Sequence, residues 1–132
     1  MSIRGYRDLQ VWQKALDLVD QSYRMSRDFP QYEIHSLTNQ LRRAAVSIPA
    51  NIAEGRGRRH ANEFLQHLGI ASGSLAELET LVLIAARLGY LQETDCCALL
   101  DRASEIGKML HGLKAAISRE KQPADPELAP GT

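Results

Sequence analysis

The chain has 132 residues, of which 44% are apolar and 24% charged, and its formal net charge is zero. One domain of this length buries roughly two thirds of its unfolded surface, so it needs no metal or disulfide staple. Met1–Tyr6 lacks the apolar core of a signal peptide, and no stretch reaches the ~18 uninterrupted apolar residues of a membrane span, so a cytoplasmic protein is expected.

Four segments carry helical periodicity, and none shows the period of two of a strand. The first places Leu9, Trp12, Leu16, Val19 and Tyr23 on one predicted stripe, ended by Pro30. The second carries Leu37, Leu41, Ala44, Ala45, Ile48 and Ile52 and closes at Gly55 and Gly57. Pro49 lies inside it, has no N–H for the carbonyl of Ala45, and predicts a kink. Phe64, Leu68, Ala71, Leu75, Leu78, Val82 and Ala85 mark the third, which ends in the glycine cap Leu88-Gly89-Tyr90. Gly69, Ser72, Gly73 and Ala76 within it predict close approach of another helix, with Ala44 and Ala45 as the expected partners. Leu65, Ile70, Leu81 and Leu83 fall off its main stripe and predict a subunit interface.

The fourth segment carries Leu99, Ala103, Ile106, Leu110, Leu113 and Ile117. Cys96 and Cys97 at its start are neighbours in sequence, so they pair poorly, and they fit no zinc spacing. Reduced thiols are expected. The proline-rich segment 122–132 reads as a disordered tail beyond a bundle spanning 1–121. Stripes stepping by three and four pack at shallow angles, and short connections force neighbours antiparallel. The expected fold is all-α, an antiparallel up-down four-helix bundle.

The zero net charge hides a basic run. Between Ser36 and His60, five bases (Arg42, Arg43, Arg56, Arg58 and Arg59) face Glu54 alone, a local +4. Arginines grip phosphates bidentately, and Gly55 and Gly57 let backbone come near. The competing interpretation is a solvated corner. Trp12 and Phe64 fall on core stripes, which leaves no stacking platform for single-stranded bases. His60, Glu63 and His67 share a helix face, but the paired Glu-x-x-His motifs of di-iron bundles are missing, so no metal or cofactor is expected. Asn51, Glu54 and Glu77 are read as a structural polar network. In it Arg42 or Arg43 pairs with Glu54 or Glu77 between helices, and Asn51 serves backbone groups freed by Pro49. No phosphate loop, nucleophile elbow or Cys–His pair is visible, so no catalytic residue is assigned.

The run from Leu37 through Arg42-Arg43-Ala44-Ala45-Val46-Ser47-Ile48-Pro49-Ala50-Asn51 to Gly55 resembles the signature of a bacterial four-helix bundle family. That family is named for proteins encoded in intervening sequences of large ribosomal RNA genes. It includes the accessory variability protein of diversity-generating retroelements. Leu9–Ala15, Glu63-Phe64-Leu65, Gly73–Thr80 and Leu88–Leu91 add to the resemblance, which covers about residues 6–118. The resemblance implies a ring-like homopentamer. In the retroelement member it implies a basic surface that binds nucleic acid and a ring that contacts a reverse transcriptase. His60 stands where relatives often have Ser, so the capping box with Glu63 is lost. This neutral chain is also less basic than the retroelement member. The expected function is a homo-oligomer that binds RNA or DNA backbone through Arg42, Arg43, Arg56, Arg58 and Arg59. A scaffold that docks a protein partner is the alternative.

Overall fold

Apolar residues spaced three and four apart give four helices: α1 (Gln10–Ser26), α2 (Leu37–Arg56), α3 (Ala61–Arg87) and α4 (Glu93–Lys121). Short 3-10 turns at Tyr6–Asp8 and Gln31–Glu33 precede α1 and α2. The computed structural model describes residues 5–121; the predicted tail, 122–132, lies outside the described residues. No strand occurs among the described residues. Each helix packs on two neighbours, in the cycle α1–α2–α3–α4, which leaves α1 diagonal to α3 and α2 diagonal to α4.

The core fills with Leu18, Leu41, Ile48, Ile52, Leu68, Leu78, Leu99, Ile106 and Leu110, all fully buried. Each such side chain contributes about 1.5–3 kcal/mol relative to exposure. The predicted stripes of α2, α3 and α4 face this core. The stripe of α1 does so only in part: Leu9 is buried and Trp12 and Val19 pack against the core. Its buried face is Val11, Ala15, Leu18, Ser22 and Ser26, while Leu16 and Tyr23 are exposed.

For α3 the close approach expected at its glycines is corrected, and two of the four residues read as off its main stripe turn inward. A β-carbon added at Gly69 or Gly73 would meet nothing within 4 Å, so these glycines face outward rather than against Ala44 and Ala45. Leu81 belongs to the core, and Leu65 is half-buried against it. Ile70 and Leu83 stay exposed. By length and composition α3 is also apolar enough to cross a membrane, with 44% of its apolar window buried in the bundle. A search for uninterrupted apolar runs misses this, because Gly, Ser and Thr and the carboxylates of Glu77 and Glu79 break the run.

The helix ends follow their sequence signals. Gly89 takes φ +81°, and the N–H groups of Gly89 and Tyr90 bond the carbonyls of Ala86 and Ala85. That is a Schellman cap. At this end of the bundle Glu33 accepts hydrogen bonds from the Leu37 N–H (3.3 Å) and the Tyr90 hydroxyl (2.9 Å). The carboxylate thus ties the entry of α2 to the α3–α4 turn. α2 runs without a break through Pro49.

Candidate nucleic-acid interface

The five candidate arginines do not form one surface. Arg42 and Arg56 lie fourteen residues apart on α2, about 21 Å along the axis. Arg42 turns toward α1, where its Nε donates to Ser26 Oγ at 2.9 Å and its guanidinium lies 4.7 Å from the centre of the Tyr23 ring. It is half-buried and held by these partners. Arg43, next in sequence, is exposed and borders a groove between α2 and α3 with Asn39, Ser47, Ser74 and Glu77.

The other three arginines do converge. α2 ends at Arg56, a β-carbon at Gly57 would make only ordinary contacts, and α3 begins with His60 as an N-cap that makes no side-chain cap bond. The corner presents Arg56, Arg58, Arg59 and His60 around a cleft of about 560 Å³. Leu9, Phe64, Leu113 and Ile117 form its apolar floor. Glu120, from the last turn of α4, reaches the same cleft. Arg58 bonds Glu54 at 2.7 Å, an exposed i,i+4 pair of the kind that adds at most about 1 kcal/mol.

The expected polar network is rearranged. Glu54 serves Arg58 rather than Arg42 or Arg43, and Glu77 is exposed. Asn51 bonds the Ser47 carbonyl (2.9 Å) and hydroxyl (3.1 Å), not a group freed by Pro49. Ser47 Oγ lies 2.8 Å from Ser74 Oγ, and Asn51 Oδ1 lies 3.1 Å from His67 Nδ1. The Asn51 amide N–H groups point at Ser47, so its Oδ1 accepts and His67 carries a proton on Nδ1. A polar seam Ser74–Ser47–Asn51–His67 therefore fixes the register of α2 on α3. The sequence signal for it was present: Ser47 and Asn51 are i,i+4, and His67 and Ser74 are i,i+7. Among the described residues, no group of three or more His, Cys, Asp and Glu comes together to hold a metal.

The family model described as 23S rRNA-intervening sequence protein matches residues 7–112. The chain belongs to that family. The match takes in α1, α2, α3 and most of α4, and with them all five candidate arginines. Glu120 and the last turns of α4 lie beyond it. A search of curated proteins finds no match.

Proposed function

We propose that this member of the 23S rRNA-intervening sequence protein family is a non-catalytic homo-oligomer, a pentamer, that binds nucleic-acid backbone. Structured RNA or an RNA–DNA hybrid is the preferred partner. One observation carries this: Arg56, Arg58 and Arg59 converge on a single surface cleft. Guanidinium groups match phosphate geometry and remain charged at every relevant pH. Arg43, exposed on α2, stands apart from that cleft, beside the groove between α2 and α3, and would offer a separate phosphate contact. Arg42, bound to Ser26 and Tyr23, positions α1 against α2 instead. Glu54 and Glu120 lower the local charge, which favours moderate affinity and strong sensitivity to salt.

The family description supports RNA as the class of partner. Trp12 and Phe64 pack against the core, so the expected recognition is of backbone and shape rather than bases. Exposed Ile70, Leu83 and Ile84 on α3 support self-association. The same observation favours the second reading, a scaffold whose assembled surface docks a protein. Light scattering at micromolar concentration tests the assembly; a monomer there rejects it. Protein purified at low salt should carry nucleic-acid absorbance that high salt removes. Absorbance of protein alone in both conditions favours the scaffold.

A further inference from the structure

A second cavity, of about 560 Å³, lies toward the other end of α2 from the arginine corner, where the last turns of α1 meet the first turns of α2. Arg42 and Arg43 both line it, and among the described residues no Asp or Glu does. The corner cleft, by contrast, holds Glu120, and the groove between α2 and α3 holds Glu77. We infer that this cavity binds a nucleoside monophosphate, with the phosphate held by Arg42 and Arg43. The site is separate from the corner and does not rest on the nucleic-acid function proposed for it.

Charge is the first argument. Arg42 is held in place by its Nε bond to Ser26 Oγ at 2.9 Å and by the Tyr23 ring at 4.7 Å, so it has little side-chain freedom left to lose on binding. Those contacts occupy Nε and leave the Nη groups for a phosphate. Arg43 is exposed, has no ion-pair partner among the described residues, and supplies a second guanidinium. The first turn of α2 adds to the positive field. Ser36 at its N-cap makes no side-chain cap bond, and Thr38 and Asn39 of that turn line the cavity. An unused donor is the second argument. Thr38 is 2% exposed and its hydroxyl has no hydrogen-bond partner, whereas buried hydroxyls are normally paired. The third argument is what surrounds the cations. Ile34, Val46 and the Tyr23 ring give an apolar wall that suits a base and would be left bare by an inorganic ion. The Asn39 amide and His35 imidazole can donate or accept hydrogen bonds at the edge of that base. The volume lies within the range of about 300–1,000 Å³ typical of small-molecule sites.

The test follows the backbone amide NMR signals of the full chain during titration with adenosine or uridine monophosphate, beside inorganic phosphate and adenosine as separate probes. Either mononucleotide should shift the signals of residues 38–46 and saturate with a Kd at or below about 1 mM. Phosphate alone and adenosine alone should each bind at least about tenfold more weakly. Arg43→Ala alters an exposed side chain and should weaken the mononucleotide about tenfold or more. Arg56→Ala/Arg58→Ala/Arg59→Ala should leave its affinity unchanged. No saturation below about 10 mM, or equal affinity in the parent protein and Arg43→Ala, overturns the inference. Phosphate alone binding as tightly as the mononucleotide overturns it as well. Shifts confined to residues 56–60 and lost in the triple variant would also overturn it, and would place the phosphate at the corner instead. Saturation at residues 38–46 in a protein that binds no RNA upholds this site and rejects the proposed function.

Discussion

A β-carbon at Gly55 would stand 2.7 Å from the β-carbon of His67. It would also meet Phe64 Cδ1 at 3.0 Å and the Phe64 carbonyl at 3.3 Å. Gly55 is therefore a point of close approach between α2 and α3 that leaves no room for a side chain, one residue before the arginine corner begins. Gly55→Ala should destabilise the fold by about 1–3 kcal/mol, because neither the His67 β-carbon nor the Phe64 backbone can swing aside. Gly69→Ala and Gly73→Ala, on the open face of α3, should each stabilise a helix interior by about 0.5–1 kcal/mol. Urea unfolding of the three variants would show the opposite signs.

Arg42 and the corner arginines should separate by phenotype. Arg42→Ala removes a hydrogen bond to Ser26 and a cation–π interaction with Tyr23. A drop in stability of about 1–2 kcal/mol is expected. The salt dependence of RNA binding should stay as in the parent protein. Denaturation and binding measured on the same preparation distinguish the two roles.

Cys96 is buried and Cys97 exposed, and both are free thiols. Burial pushes the Cys96 thiol above its ordinary value, with the neighbouring Cys97 adding to the shift. Since the thiolate is the reactive form, an alkylating reagent at mildly alkaline pH should modify Cys97 rapidly. Cys96 should react at the rate of unfolding. Two thiols reacting together in the native protein would contradict the placement of α4.

The Tyr90 hydroxyl is raised above its ordinary value by its hydrogen bonds to Tyr32 and then Glu33. Folding therefore favours the protonated phenol. Its contribution is fully present below the unfolded value of 10.0. Above that pH the unfolded state releases a proton that the native state keeps, so stability falls. Urea midpoints at about pH 9 and about pH 11 should differ less in Tyr90→Phe than in the parent protein.

Three helices and their buried faces were legible because their apolar rows are uniform, from Leu37 to Ile52, Leu68 to Ala85 and Leu99 to Ile117. α1 was legible only in part, through Leu9, Trp12 and Val19, because it has two rows. The one that packs holds Ala15, Ser22 and Ser26, which read as surface, and the one with Leu16 and Tyr23 looks more like a core. The arginine corner was visible as a local charge. Its acidic neighbour Glu120 was not, since sixty residues separate it from His60 in sequence. Nor does a charge tally show that Arg42 is engaged by α1, because that depends on how two helices rotate against each other.

Whether the corner cleft is a phosphate-binding surface is decided by titrating a structured RNA at rising salt. The parent protein is compared with Arg56→Ala/Arg58→Ala/Arg59→Ala. Binding by the parent should fall steeply with salt. The variant should bind more weakly, with a slope shallower by about one for each phosphate it no longer grips. Equal binding by the two proteins, or none by either at about 50 mM salt, would contradict a phosphate-binding role for the cleft.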